Sequence, residues 1–326
     1  MSLTQPSIRE HAEQYLAMRR RLGFKLTVFG TRLLGFVSYL EAHDLTTITA
    51  DAALAWATTT PRSYDEVHWS RRLMVARIFA RHMAVLDPAT EIPPVDVLPH
   101  HYRRVTPHLF TDAQITELMD AATTLRPALR AQTWQTLIGM LTVSGLRVGE
   151  ACRLDDDDLE DDAASNSGDA VGAGALLTIR DTKYGKSRQV PIHASTLAAL
   201  RDYQQQRDRV FPTATTSALL VTIRGTRLDA NVSKTFAELV RTVGITPLAG
   251  GRAPRLADFR HTFCTATLLA WYRDEQDVQA RMPALSTFLG HADPKSTYWY
   301  LTSTPELLAL AAARLEHAFG VGANDE

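Results

Sequence analysis

The chain has 326 residues, of which 45% are hydrophobic and 22% charged, a composition typical of a globular protein with room for two domains. No apolar run approaches the roughly 18–20 residues of a membrane span, and the N-terminus lacks the apolar segment of a signal peptide. The two cysteines, Cys152 and Cys264, form no CxxC or Cys/His cluster, so no metal site is predicted from them. These features favour a cytoplasmic protein without a membrane partner.

The net charge of the chain is −1, but its charged residues are unevenly distributed along the sequence. Eight acidic residues and no basic residue occupy positions 155–169: Asp155, Asp156, Asp157, Asp158, Glu160, Asp161, Asp162 and Asp169. Because they carry −8, the rest of the chain carries +7, which is compatible with a nucleic-acid partner. The acidic stretch also contains serine and glycine and predicts a solvated, mobile loop. A carboxylate metal site there is the alternative, but the run lacks the alternating spacing of a calcium loop.

The first 87 residues predict a helical domain. Apolar residues at helical spacing indicate helices at about 7–23, 28–43, 50–58 and 65–86. The fourth helix carries Arg71, Arg72 and Arg77, which either contact DNA phosphates or form a solvated face. Five prolines fall within residues 87–108, so residues 88–108 are interpreted as an interdomain linker.

Residues 109–326 predict a second domain that is mostly helical. Thr111 and Gln114 form a capping-box pattern, and a helix at about 127–143 ends at Gly145 before another begins near Val148. Two short strands are predicted within residues 175–192. Further helices are expected at about 194–209, 231–243, 257–271, 283–290, 294–301 and 305–318. The predicted fold is mainly α, with a small antiparallel β-sheet in the second domain.

Five features of this domain suggest phosphate chemistry. The motif S-G-L-R-V-G-E places Arg147 at a helix start, where a guanidinium and backbone amides can face an anion. T-K-Y-G-K-S-R-Q-V-P-I places Lys183 at a hairpin tip, where it can donate a proton. Arg260 in L-A-D-F-R-H, His291 in L-G-H and Tyr300 follow in order. Each feature alone has an ordinary explanation, such as a surface ion pair or an exposed turn lysine.

Taken together, the order Arg, Lys, Arg, Leu-Gly-His and Tyr across residues 144–300 resembles the tyrosine recombinases, also called the phage integrase family. The resemblance covers about residues 107–318, and the N-terminal domain is similar in plan to the family's core-binding domain. Tyr298 and Tyr300 are about 200° apart on a helix, so they cannot face the same site. The nine-residue spacing from His291 matches the family at Tyr300.

The resemblance implies a role for each matched residue. Arg147 and Arg260 would bind the scissile phosphate, His291 would donate a hydrogen bond to it, and Lys183 would protonate the leaving 5′ oxygen. Tyr300 would attack phosphorus and form a 3′-phosphotyrosyl link, with Glu150 as a supporting acid. Lys186 and Arg188, on the same hairpin as Lys183, would contact the DNA backbone. The family works without metal or cofactor, as a tetramer on two double-stranded DNA sites.

One position departs from the family pattern. The second-arginine motif is usually His-x-x-Arg, whereas this chain has Ala257 in A-D-F-R. Loss of one charge-stabilising group typically leaves activity about 10²–10³ below the full rate. The first hypothesis is therefore a site-specific recombinase, and the alternative is an impaired DNA-binding accessory factor of the same fold. A relaxing topoisomerase and a plain helical scaffold also remain open, although a scaffold leaves the ordered motifs unexplained.

Overall fold

The structure is a computed structural model, and its chain divides into two compact units, Met1–Arg104 and Val105–Glu326. The residues described are 6–59, 66–98, 106–161, 173–180, 187–213, 215–229, 232–247, 251–291, 293–302 and 304–319. Within these residues, no helix combines the length and apolar character needed to cross a membrane. The predicted fold class is confirmed, because helices dominate and a single small antiparallel sheet is present in the described part.

The first unit contains four helices close to the predicted positions: α1 (Ile8–Arg21), α2 (Thr27–Ala42), α3 (Ala50–Thr58) and α4 (Glu66–Met83). The Ser7 side chain accepts from the amide of Glu10, and the Glu10 side chain accepts from the amide of Ser7, so a capping box begins α1. The helices enclose a core that includes Phe36, Phe79 and Leu40. Aromatic contacts, such as that between Phe36 and Trp56 at 4.9 Å, help fill it.

The structure corrects the assignment of Arg77 to DNA contacts. Its side chain is buried, and its guanidinium donates to the carbonyls of Pro93, Pro94 and Val95. This arginine therefore attaches the first part of the predicted linker to α4. Arg72 is also engaged, since it donates to the Trp56 carbonyl at 2.6 Å and stacks over the Trp56 ring.

The second unit contains helices and strands in an order close to that predicted. The helices are α5 (Asp112–Thr123), α6 (Ala128–Ser144), α7 (Val148–Ala151), α8 (Ala194–Val210), α9 (Ser233–Val243), α10 (Asp258–Arg273), α11 (Val278–Leu289), α12 (Lys295–Tyr298) and α13 (Pro305–Phe319). The strands are β1 (Leu159–Asp161), β2 (Ala173–Ile179) and β3 (Arg188–His193), in sheet order β1-β2-β3. Leu177 on β2 faces Leu159 on one side and Val190 on the other. All three leucine and valine side chains are buried in the core of this unit.

The first part of the acidic run is not the mobile loop that the sequence predicts. Asp155 pairs with Arg227, Asp156 with Arg207, and Asp158 with Arg180. The run then continues directly into β1, which the sequence analysis did not predict. These aspartates are therefore fixed by arginines from distant parts of the chain. The remainder of the run, residues 162–169, lies outside the described residues.

The elements that position the candidate site differ from prediction in two places. Helix α11 begins at Val278 and passes through Pro283, so it is longer than predicted. The single helix expected at 294–301 is instead the short α12 followed by a 3-10 turn, Trp299–Thr302. Helix α13 packs against α10, where Arg314 donates to backbone carbonyls of Trp271, Tyr272 and Gln276.

Candidate active site

The site is built around the C-terminal end of α11. Three arginines from three different elements donate to three consecutive carbonyls there: Arg188 Nε to Phe288 O at 2.7 Å, Arg260 Nη2 to Leu289 O at 2.7 Å and Arg147 Nη2 to Gly290 O at 3.3 Å. The last carbonyls of a helix have no partner within it, and they carry the negative end of the helix dipole. The helix end therefore gathers the three guanidiniums in one place.

A buried carboxylate connects two of these arginines. Glu150 accepts from Arg147 Nη1 at 2.7 Å, from the Arg147 amide at 3.0 Å and from both terminal nitrogens of Arg188 at 2.9 and 3.2 Å. Burial alone would raise the pKa of Glu150, but the hydrogen bonds from Arg188 and Arg147 outweigh it and lower the pKa to about 2. Glu150 is therefore ionised at neutral pH. The three guanidiniums and this one carboxylate leave two positive charges in excess.

The two arginines expected to bind phosphate differ in exposure. The Arg147 side chain is 39% exposed, so part of its guanidinium faces solvent at the N-terminal end of α7. Arg260 is buried and donates to Gly145 O at 2.9 Å as well as to Leu289 O. Burial, and next the charge of Arg147, lower the pKa of Arg260. Among the described residues Arg260 has no carboxylate in ion-pair contact, so its charge is not neutralised by an ion pair.

His291 lies directly after Gly290, which ends α11 in the left-handed conformation. Its Nδ1 is 2.6 Å from the hydroxyl of the fully buried Thr297. Burial, followed by the charges of Arg260, Arg147 and Arg188, lowers the pKa of His291 to about 4. The ring is therefore neutral near pH 7, and its Nε2 is left for another partner.

Tyr300 is buried beside His291 and this cluster of arginines, with 4% of its surface exposed. Its ring stacks with that of His291 at 6.3 Å and contacts the rings of His261 and Trp299 at 5.4 and 5.2 Å. The Cys264 thiol and the Arg260 guanidinium lie near enough to the hydroxyl to influence its pKa. Burial is the main cause of a raised pKa at Tyr300, so the phenol is protonated near neutrality.

Tyr298, in contrast to Tyr300, is exposed to solvent over 47% of its surface. The difference from Tyr300 is what the rotation of about 200° between the two positions predicts. Tyr298 therefore does not pack into the interior of this unit. Trp299 does pack, with its ring 5.2 Å from that of His261.

The structure brings Arg147, Glu150, Arg260, His291 and Tyr300 together, as the motif order suggested. Lys183 and Lys186 lie outside the described residues. Arg188 requires a correction, because its side chain is 9% exposed and bound to Glu150 and Phe288 rather than free to contact DNA.

Two contacts at the site were not anticipated from the sequence. Thr297 orients His291, and Cys264 lies near the Tyr300 hydroxyl, which affects the pKa of the thiol. Helical spacing offered a signal for both: Thr297 is three residues before Tyr300, and Cys264 is four residues after Arg260. Within the described residues, no three His, Cys, Asp or Glu side chains are grouped so as to hold a metal ion.

Ala257 lies immediately before α10 and is exposed. Its methyl group offers no donor to the site, and the next residue, Asp258, is held by two hydrogen bonds from Arg252 at 2.9 and 2.6 Å. The departure from the family motif is therefore a missing donor on the helix that carries Arg260.

The sequence of this chain is similar to known proteins. Residues 108–306 match the model of the phage integrase family. The chain belongs to this family, that of the tyrosine recombinases. It is 43% identical over 317 residues to "Putative integrase/recombinase y4rB" of Sinorhizobium fredii, covering 95% of this chain and 97% of that protein. It is 27% identical to the tyrosine recombinase XerC of Alcanivorax borkumensis, covering 71% of this chain and 67% of that protein.

Solved structures of the family share the fold. The XerH recombinase in its post-cleavage complex with a palindromic difH substrate matches with a TM-score of 0.62 at 15% identity, covering 88% of this chain and 79% of that one. A lambda integrase dimer bound to a core site matches with a TM-score of 0.59 at 14% identity, covering 91% and 78%. At such low sequence identities, the similarity shows a shared fold.

Gly290→Ala is expected to destabilise the protein more than Gly244→Ala. Both glycines end helices with positive φ, +65° and +80°, so both substitutions cost about 1–2 kcal/mol of backbone strain. A Cβ at Gly290 would lie 2.6 Å from Arg188 Nη1, whereas one at Gly244 meets nothing within 4 Å. We expect a further loss of about 1–3 kcal/mol at Gly290 from the disturbed hydrogen bonds, measured by urea unfolding. Equal losses would show that Arg188 is not tightly held.

Acidification is expected to destabilise the protein through His291 and His261. Burial is the first cause that lowers both pKa values from 6.5 to about 4, so between these values the unfolded chain binds more protons than the folded one. Their contribution to stability is therefore complete above about pH 6.5 and is lost as pH falls towards 4. NMR titration of the imidazole resonances tests this directly. A His291 midpoint near 6.5 in the folded protein would contradict it.

Proposed function

We propose that the protein is a site-specific DNA recombinase that cuts and rejoins DNA through a 3′-phosphotyrosyl intermediate at Tyr300. The observation that carries this proposal is the pocket with two positive charges in excess, bordered by a neutral histidine and a tyrosine hydroxyl. A phosphodiester carries one negative charge in the ground state, and a second develops during attack. These two charges offset the two positive charges in excess at the site. Membership of the tyrosine recombinase family supports the same activity.

In the proposed complex, Arg147 and Arg260 bind the nonbridging oxygens of the scissile phosphate. Both guanidiniums are already oriented by backbone carbonyls, so little reorganisation is needed when charge develops. His291 donates from Nε2 to a phosphate oxygen. Thr297 supports this role, because a hydroxyl that donates to Nδ1 leaves the ring proton on Nε2.

Tyr300 supplies the nucleophile. Its oxygen forms a bond to phosphorus while the bond to the 5′ oxygen breaks, and Lys183 delivers a proton to that leaving oxygen. The phenol, whose pKa is raised by burial, releases its own proton to solvent as the attack proceeds, and Lys183 regains a proton from solvent, so no net proton is gained or lost. The covalent link conserves the energy of the phosphodiester, so the reverse attack by a 5′ hydroxyl rejoins the strand without ATP.

The proposed substrate is double-stranded DNA, and the proposed active assembly is a tetramer on two paired sites. A lambda integrase tetramer bound to a Holliday junction has the same fold, with a TM-score of 0.57. Binding is expected to weaken steeply with salt, since basic residues would replace counterions on the phosphate backbone. Exposed Arg71 remains a proposed backbone contact, together with Lys186.

The second candidate function is a DNA-binding accessory factor of the same fold. Ala257 is the observation that favours it, because the helix carrying Arg260 lacks the donor that the family motif has at this position. This candidate binds its DNA site but does not form a covalent link.

Tyr300→Phe is expected to abolish covalent DNA attachment, whereas Tyr298→Phe should retain it. Only the Tyr300 hydroxyl lies beside Arg260, while Tyr298 is largely exposed. The measurement uses a nicked duplex that carries the recombination site, chosen from inverted repeats flanking the gene, and detects a protein–DNA adduct on denaturing gels. If the parent protein binds the site specifically but forms no adduct, the result would favour the accessory-factor function. An adduct in Tyr300→Phe would place the nucleophile elsewhere.

Ala257→His is expected to raise the cleavage rate by about 10²–10³-fold, because it restores a donor near the developing charge. Binding of the uncleaved site should change little. Ala253→His, at an exposed position in the preceding segment, is the matched control and should leave cleavage unchanged. An equal increase in both variants would indicate a nonspecific gain in DNA affinity, and no increase at Ala257 would show that this position is not part of the phosphate pocket.

A further inference from the structure

Arg188 is the member of the arginine cluster whose guanidinium is engaged by the protein at every nitrogen. Its Nε donates to Phe288 O at 2.7 Å, and its two terminal nitrogens donate to Glu150 at 2.9 and 3.2 Å. The side chain is 9% exposed, whereas that of Arg147 is 39% exposed. We therefore expect Arg147, and not Arg188, to meet a phosphate directly.

The fit at Gly290 closes another side of the Arg188 guanidinium. A Cβ at Gly290 would lie 2.6 Å from Arg188 Nη1 and 2.9 Å from its central carbon. The guanidinium thus lies directly against the backbone at the end of α11, with no room for a further group between them. Any effect of Arg188 on a phosphate must therefore pass through the residues that it binds.

Glu150 is the residue through which such an effect can pass, because Arg188 shares it with Arg147. Its carboxylate is 2% exposed and also accepts from Arg147 Nη1 at 2.7 Å and from the Arg147 amide at 3.0 Å. One carboxylate offsets the charge of one guanidinium. While Arg188 binds Glu150 with two nitrogens, the charge of Arg147 is left over. Without Arg188, the same carboxylate would offset Arg147 instead.

We propose that Arg188 is a positioning residue that acts through Glu150: it offsets the charge of this carboxylate, so that Arg147 and Arg260 keep two uncompensated positive charges for the scissile phosphate. This inference deepens the function proposed above and rests on it, since it concerns the phosphate site of that reaction. Loss of the Arg188 charge would leave one excess charge at the site. Loss of the Glu150 charge as well would bring the excess back to two.

The test measures the affinity of each variant for inorganic phosphate at low salt and neutral pH, where screening is weak. The imidazole resonances of His291 report binding. Arg188→Met should weaken phosphate binding by about 10-fold, because one excess charge is lost. Arg188→Met combined with Glu150→Gln should return to within about 3-fold of the parent. The glutamine keeps an oxygen that can accept from Arg147, and Arg188→Lys, which keeps the charge, should also stay within about 3-fold.

The pKa of His291 gives a second measure of the same charge. Burial is the first cause that lowers it to about 4, and the charges of Arg260, Arg147 and Arg188 follow, whereas Glu150 raises it. Arg188→Met should therefore raise the pKa of His291. The double variant should lie between Arg188→Met and the parent, because removal of the carboxylate lowers the pKa again. NMR titration of the folded variants measures this.

Arg207→Met, alone and combined with Asp156→Asn, is the matched control. The Arg207 side chain is also 9% exposed, binds Asp156 with both terminal nitrogens and donates to the Ala218 and Leu219 carbonyls. These partners are separate from those of the arginine cluster. Both control variants should lose folding stability while phosphate affinity and the pKa of His291 stay at the values of the parent.

Three results would overturn the inference. Arg188→Met with the phosphate affinity of the parent would show that its charge does not reach the site. A loss that Arg188→Lys shares, or that Glu150→Gln does not recover, would show that hydrogen-bond geometry and not charge is decisive. The same loss in Arg207→Met would show that reduced stability produces it. If Arg188→Met does not fold, Arg188→Lys and the double variant decide, since both keep the net charge and either one binding phosphate about 10-fold more weakly would contradict the inference.

Covalent attachment to the nicked duplex, measured on the same variants, separates this inference from the proposed function. Adduct formation should slow by about 10-fold in Arg188→Met and recover in the double variant. Phosphate affinities that follow the net charge, without an adduct in the parent, would support the charge balance and count against the recombinase. An adduct in the parent with phosphate affinities that ignore the net charge would support the recombinase and overturn the role of Arg188.

Discussion

The site depends on the attraction between three guanidiniums and the carbonyl end of α11. Arg147, Arg188 and Arg260 would repel one another if they were brought together without compensation. Three carbonyl oxygens and the Glu150 carboxylate make their assembly possible, yet they neutralise it only in part. The residual positive charge is a consequence of the fold itself. An anion that binds here would offset the positive charge that the protein itself leaves uncompensated.

The same excess charge controls the protonation of the groups around it. It acts together with burial to keep His291 neutral, so in the proposed reaction the histidine donates a hydrogen bond without adding to the repulsion. It also opposes the effect of burial on Tyr300, because Arg260 favours the phenolate. In the proposed reaction, phosphate binding, hydrogen-bond donation by His291 and attack by Tyr300 therefore depend on one arrangement of arginines. A change in that arrangement would alter all three.

The motif order predicted which side chains meet, but it did not predict what holds them. Helix positions and the candidates Arg147, Arg260 and His291 followed from local patterns of the sequence. The roles of Arg188 and Arg77 did not, because each depends on carbonyls distant in the chain. A basic residue on a hairpin or a helix suggests a DNA contact until its partners are known. Local sequence carries no signal for a buried guanidinium whose acceptors are backbone atoms of another element.

The charge of the pocket also bears on the meaning of Ala257. A histidine at this position would add a hydrogen-bond donor, whereas the two excess positive charges come from the arginines and are present without it. In the proposed reaction, phosphate binding therefore does not depend on the missing group, whereas stabilisation of the developing charge loses one contact. The other components are complete: a neutral histidine with an oriented ring, a buried tyrosine and two oriented guanidiniums. Under the proposed function, such a site favours slow cleavage over DNA binding alone, because the Tyr300 hydroxyl lies near Arg260.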